Sequence, residues 1–187
     1  MKKLALMFLA LSFCTLAFAQ WGEEEEEDDK PSLRDRMFVG GGLNGLSFSS
    51  YYDYISLAVM AGYKITPKLA GGVQLQYRYT NYKQAVPKFS ANDYGVSPFL
   101  RFNFYGPLFL HAEYEYLNYQ FVDYQGESTR SGFNSFMAGG GFFQPMGRRA
   151  GLYLLALYNF SYKPGDQYTY SPYNSPWVIR AGITAGF

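Results

Sequence analysis

The sequence predicts an all-β fold, an eight-stranded antiparallel up-and-down transmembrane β-barrel, on three observations. From Arg36 onward, apolar and polar residues alternate with a period of two through eight segments, the repeat of a strand with one apolar face. The connectors alternate between short turns and longer loops, as they do in barrels that thread a bilayer up and down. The apolar faces carry so many rings that they suit the outside of a small barrel better than its inside.

The first segment, "MFVGGGLNGLSF" at 37–48, has its two faces blurred by glycine. The second, 55–65, sets Ile55, Leu57, Val59, Ala61 and Tyr63 against Ser56, Ala58, Met60, Gly62 and Lys64. In the third, 69–80, Val73, Leu75, Tyr77 and Tyr79 oppose Gln74, Gln76, Arg78 and Thr80. The fourth, 94–105, places Val96, Leu100, Phe102 and Phe104 opposite Ser97, Phe99, Arg101 and Asn103. The fifth, from Leu108, sets Leu110, Ala112, Tyr114 and Tyr116 against His111, Glu113 and Glu115. The sixth, 132–143, is again blurred by glycine, and the seventh, 151–163, aligns Leu152, Leu154, Ala156, Tyr158 and Phe160. The eighth, "WVIRAGITAGF" at 177–187, aligns Trp177, Ile179, Ala181, Ile183, Ala185 and Phe187 opposite Val178, Arg180, Gly182, Thr184 and Gly186. "TPK" (66–68), "GP" (106–107) and "PMGRR" (145–149) read as short turns by their proline and glycine chemistry. Longer loops are expected at 49–54, 81–92, 118–131 and 164–176.

Which face is apolar decides the solvent. Aromatic residues are 20% of the chain and charged residues only 17%, too ring-rich for a disordered polymer. The interior of eight strands is just wide enough to be filled by side chains. A soluble barrel would have to fit Tyr77, Tyr79, Phe102, Phe104, Tyr114, Tyr116 and Trp177 inside. Turning those faces toward lipid removes the crowding and puts tyrosines near the strand ends as aromatic girdles. Closure of an even number of antiparallel strands then satisfies the backbone in lipid.

The N-terminus reads as an address. Lys2 and Lys3 precede the apolar "LALMFLALSFCTLAF", and Ala17-Phe18-Ala19 before Gln20 gives a small-x-small cleavage site, the pattern of a secretory signal. The expected organisation is therefore a signal peptide at 1–19, an acidic linker at 20–35 and the barrel at 36–187. Phe13 before Cys14 argues against a lipidated cysteine, because such signals want a small residue there. Cleavage removes the one cysteine, and with it disulfide and thiol chemistry. Loss of Lys2 and Lys3 leaves 14 basic against 15 acidic residues, so no basic field exists to bind nucleic acid. Seven consecutive acids at 23–29 read as a self-repelling, solvated linker.

On these residues the chain resembles the small eight-stranded outer-membrane barrels of Gram-negative bacteria, the OmpA transmembrane-domain and OmpX type. It also resembles the broad outer membrane beta-barrel domain family that includes PorT-like proteins. The most specific motif is the end, where Arg180, Gly182, Ala185 and Phe187 match the C-terminal assembly signal of such proteins, with Ala185 a small occupant of the hydrophobic slot. The resemblance implies location in the outer membrane, contact with its lipid and lipopolysaccharide, and insertion by the outer-membrane assembly machinery. It also implies a monomer.

Lys64, Arg78, Arg101 and Arg180, with Glu113 and Glu115, fall on inward faces, and buried charges must be paired. An arginine–glutamate network is expected, with Gln74, Gln76 and Asn103 beside it, acting as a polar filling that fixes strand register. The alternative is an ion path. Some barrels this chain resembles modify lipid A through a histidine near the outer leaflet. Here the single histidine, His111, follows a short turn and lies about 10 Å from that rim at roughly 3.3 Å per residue, the wrong end for such chemistry. One histidine and no cysteine leave no metal cluster, and no cofactor is expected. The triplets at 40–42 and 139–141 lie within strands, where glycine permits bulges, curvature or close packing of large neighbours. Pro98 within the fourth segment implies a bulge or a misplaced strand, since proline cannot donate to the ladder. The loops, rich in Tyr, Ser, Asn and Asp, suit adaptable surface contacts with an extracellular or envelope protein. The expected function is structural or interactive and non-catalytic, with a narrow channel as the alternative and lipid A modification third.

Overall fold

A computed structural model describes residues 33–84, 89–122, 127–147, 149–163, 172–173 and 175–186. The signal segment with Ala17, Ala19 and Gln20, the acidic run, and Phe187 lie outside the described residues. A 3-10 turn at Leu33–Arg36 leads into eight strands. They are β1 (Met37–Phe48), β2 (Tyr52–Lys64), β3 (Leu69–Tyr82), β4 (Phe89–Tyr105), β5 (Leu108–Val122), β6 (Ser128–Met146), β7 (Ala150–Asn159) and β8 (Trp177–Ala185). Each pairs antiparallel with the next, and β8 returns to β1 from Val39↔Ala185 to Leu43↔Ala181, closing the barrel in sequence order. Closure leaves no whole strand as an edge, although β1 beyond Leu43 and β8 before Ala181 are not paired with each other.

One end of the barrel is tightly turned. Thr66 Oγ1 accepts from the Lys68 and Leu69 amides, folding the chain back between β2 and β3. Gly106 (φ 50°) and Gly147 (φ 72°) take the left-handed conformation in the other two turns, which costs glycine nothing.

At the opposite end β2 to β6 outrun the expected boundaries, whereas β7 stops at Asn159, short of the expected 163. β3 continues to Tyr82, β4 begins at Phe89, β5 continues to Val122 and β6 begins at Ser128. Half of the expected loop at 81–92 and most of that at 118–131 is therefore strand, and the widest interval between consecutive strands is 160–176. The expected pattern inverts there, because the outer face turns polar at Asn92, Asn118 and Gln120 while Ala91, Leu117 and Tyr119 are buried on the inner one, and polar side-chain pairs form. Arg78 meets Asp93, and Arg130 Nε donates to Asn118 Oδ1 at 2.6 Å. At the C-terminus β8 stops at Ala185, and the Gly186 amide caps Arg149 O at 2.7 Å.

Pro98 marks neither a bulge nor a misplaced strand. The β4–β5 register is the same on both sides of it, from Val96↔Tyr116 to Phe99↔Glu113, with only Ser97 and Pro98 passed over. The register shifts fall elsewhere: in β4 between Asn103 and Tyr105, beside the turn, and in β1 between Leu43 and Gly45, where the shift accompanies the inward placement of Asn44.

Large inward rings lie on glycines directly across the ladder. Phe38 faces Gly62, Phe99 faces Gly72, Phe109 faces Gly141 and Tyr153 faces Gly182. A Cβ on Gly62 would lie 2.3 Å from Phe38, and one on Gly141 would lie 2.3 Å from Phe109. The glycines of the strands thus make room for the aromatic filling of the lumen. That filling is more apolar than the sequence led one to expect, because β7 turns Tyr153, Leu155 and Leu157 inward to join Met60 and Met137.

Candidate functional site in the barrel lumen

The period-two pattern of β3, β4, β5 and β8 sends alternate side chains inward. There they meet as one connected set of charges. Arg180 grips Glu113 through two bonds, Nη1 to Oε2 at 2.6 Å and Nη2 to Oε1 at 2.7 Å. Its Nη2 also lies 3.7 Å from Glu115 Oε2. This two-pronged geometry is the strongest form of carboxylate–guanidinium contact. All three residues are at most 2% exposed, so the pairing offsets a desolvation cost that neither charge could bear alone.

The network extends from there. Gln76 Nε2 donates to Glu115 Oε2 at 2.7 Å, and Asn44 Nδ2 donates to Gln76 Oε1 at 2.8 Å. His111 Nε2 lies 3.1 Å from Glu113 Oε2, and its ring stacks on Phe99 at 5.2 Å. The long connection contributes Tyr173, whose hydroxyl donates to Glu115 Oε1. Burial and the neighbouring Glu115 charge push that hydroxyl well above its ordinary pKa, so it stays a donor.

Arg78 forms a second centre toward the loop end. Its Nε binds Asp93 Oδ2 at 2.8 Å, its Nη1 donates to Pro172 O at 3.0 Å, and the guanidinium sits 5.7 Å from the Tyr173 ring. The other oxygen of Asp93 accepts from the Gln120 amide at 2.8 Å.

Four residues expected with these lie outside that network. Gln74 is buried but its Nε2 has no partner. Asn103 and Lys64 are half-buried beside the turns. Arg101 is buried and makes no ion pair among the described residues; its guanidinium lies 4.4 Å from the Phe109 ring and 5.5 Å from that of Tyr153. In the C-terminal motif Arg180 points inward, Gly182 lies beneath Tyr153, Ala185 pairs with Val39 and Ala150, and Phe187 is outside the described residues.

Asp93, Asn44 and Tyr173 complete the network without having been anticipated. Asp93 was legible: it shares the odd-numbered face of Ser97, Phe99 and Arg101, and was missed only because β4 starts five residues earlier than expected. Asn44 depends on the β1 bulge, and Tyr173 on the path of a connection, and neither carries a periodic signal.

Chemically, the lumen is an interior packed with rings and charges, in which the carboxylates gather on Arg78 and Arg180. Asn44, Ser56, Gln76, Arg78, Tyr173 and Arg180 line a cavity of ≈ 10 Å³, about what a single water needs. Among the described residues, no cluster of three or more His, Cys, Asp or Glu is placed to hold a metal ion.

The fold and this interior define the class: a small closed eight-stranded antiparallel barrel with a packed polar and aromatic lumen. No protein-family model matches the chain, and no curated protein matches it. Among solved structures it is similar to the N-terminal β-barrel domain of Pseudomonas aeruginosa OprF, at 12% identity and a TM-score of 0.46 over 80% of this chain and 96% of that one. It is similar to Neisserial surface protein A at 19% identity, with a TM-score of 0.46 over 81% of this chain and 95% of that one. It is also similar to the Yersinia pestis outer membrane protein Ail, at 12% identity and a TM-score of 0.45 over 80% and 97%. The barrel assignment rests on the strand pairing itself.

Proposed function

We propose that the chain is an integral outer-membrane barrel, non-catalytic, that serves envelope integrity or surface contact through the end carrying its long connection. The observation that carries this reading is the inversion of the barrel. Charges and amides fill the inside, while the outside exposes an unbroken apolar wall. Val59, Leu75, Leu100, Leu110, Leu154, Ile179 and Ile183 are all more than half exposed around it. Rings bracket these aliphatic residues along the strands, with Phe104 and Tyr105 exposed on the turn side and two ring pairs toward the loops. Tyr77 and Tyr94 pair across β3 and β4 with centroids 5.5 Å apart, and Tyr158 meets Trp177 edge-on across β7 and β8 at 5.2 Å. An apolar band with aromatic girdles is the outer surface of a bilayer-spanning barrel, and far exceeds what a soluble monomer exposes.

Strand lengths of 9 to 19 residues reach or exceed the roughly 9–11 needed to cross a bilayer. The longer strands, β3 to β6, then carry their polar ends beyond the lipid at the loop end. The start of β1, the end of β8 and the short turns lie at the other end, which is the periplasmic one on this reading. A filled lumen favours a structural role over conduction. His111 bonds Glu113 deep in the wall, with Phe99 on its face, a structural setting rather than one for lipid chemistry.

The partners that follow are outer-membrane lipid and lipopolysaccharide, the assembly machinery reading the Arg180, Gly182, Ala185 and Phe187 tail, and an extracellular or envelope protein at the loop end. The chain would act as a monomer, without cofactor. Gel migration before and after boiling tests the reading: a compact band that shifts on boiling, recovered from the outer-membrane fraction, is the expected result. A band that does not shift, or a protein found in the soluble fraction, would contradict it. Deleting Phe187 is expected to lower insertion in cells more than refolding in detergent; unchanged membrane levels would count against recognition of the tail.

A further inference from the structure

We infer that the turn half of the lumen holds a site for a small monovalent anion of halide size, centred on the Arg101 guanidinium. The inference does not depend on where the barrel resides. Arg101 is 3% exposed, projects into the lumen from β4, and is without a carboxylate partner among the described residues. The lumen's three carboxylates are engaged elsewhere: Asp93 by Arg78, and Glu113 and Glu115 by Arg180. His111, opposite Arg101 in the ladder, turns its Nε2 toward Glu113.

The Phe109 and Tyr153 rings, 4.4 and 5.5 Å from the guanidinium, take part of its charge through their electron-rich faces. They cannot accept its in-plane N–H bonds. Both Nε and Nη2 are buried without a partner, and the Tyr153 hydroxyl beside them is equally unmatched. Buried donors left unmade are costly, and a buried cation is more costly still. An occupant that only accepts, and that carries a negative charge, answers both demands. Water would meet the first alone. The Phe109 and Tyr153 rings crowd the group and already fill the space beside Gly141 and Gly182, which favours a monatomic ion over phosphate or a carboxylate metabolite.

Heating the full chain in detergent, in sodium chloride and in sodium gluconate at equal ionic strength, tests the site. Chloride should raise the unfolding midpoint by about 3 °C or more, as binding to the folded state alone requires. Arg101→Met, which keeps the stem and removes the charge, should abolish the difference. Equal midpoints for the unaltered chain, or a chloride shift that survives Arg101→Met, would overturn the proposal. Bromide-soaked crystals of the unaltered chain decide the matter even if the variant does not fold. An anomalous peak within hydrogen-bond distance of Arg101 Nε or Nη2 supports the site, and its absence there overturns it.

Discussion

Arg180 and Glu113, on strands that are not neighbours in the barrel, are joined across the lumen by two bonds of 2.6 and 2.7 Å. The pair ties β8 to β5 directly, alongside the Gln76–Glu115 and Asn44–Gln76 bonds that link β3 to β5 and β1 to β3 across the lumen. It is the strut around which the remaining polar residues are arranged.

Breaking that strut from one side should be far worse than removing it whole. Glu113→Ala leaves Arg180 buried beside Glu115 alone and is expected to cost about 3–5 kcal/mol, whereas exchanging both partners for apolar residues of similar size should recover most of the loss. Urea unfolding of the single and double variants checks this. A double variant no more stable than Glu113→Ala would show that the pair acts through something other than charge compensation.

Tyr173 should act through its hydroxyl. Tyr173→Phe keeps the ring beside Arg78 and removes one donor from Glu115, a loss of about 1–3 kcal/mol for a buried acceptor left short. The same unfolding measurement reads it. Tyr153→Phe, whose hydroxyl has no protein partner, should cost less.

The glycines opposite large rings should resist even one added methyl. Gly141→Ala puts a Cβ 2.3 Å from Phe109 and 2.6 Å from Leu154 O, and overpacking of this kind costs about 1–3 kcal/mol or more. Pairing it with Phe109→Leu should relieve only the ring's share of the clash. Refolding yield and midpoint for the single and double variants test the point.

Much of the architecture could be read from the alternation of residues, and the exceptions have physical causes. In β3, β5 and β8 one face is apolar and the other polar, so Leu75 against Gln76, or Ile179 against Arg180, fixes the facing at once. In β6 and β7 the signal weakens, because Leu155 and Leu157 face a lumen that is itself partly apolar and Gly139 has no side chain to report. The strand ends beyond Thr80 and before Tyr94 were lost because past the apolar wall the outer face turns polar, at Asn81, Ser90 and Asn92, and the alternation that marked the facing inverts. Partner choice was less legible still. The pattern placed Arg78, Arg101 and Arg180 inside, but cross-strand register and tilt decided that Arg78 takes Asp93, that Arg180 takes Glu113, and that Arg101 rests on rings.

The outer wall should reject charge most strongly at its middle. Leu75→Arg is expected to cost about 2–4 kcal/mol if that face meets the bilayer midplane, while the same change near the girdle, at Tyr77, should cost about 0–1 kcal/mol beyond the loss of the ring. Folding titrations in lipid vesicles separate the two, and equal costs at both depths would argue against a lipid-facing wall.

The most direct test of that wall uses Trp177, which is 61% exposed on its loop-end rim. Replacing Trp21, the other of the two tryptophans, with Phe leaves Trp177 as the single reporter. Vesicles whose lipid chains carry bromine should then quench its emission strongly, with a blue-shifted spectrum that reverts on unfolding. Emission from the folded barrel that is red-shifted and untouched by brominated lipid would contradict the account.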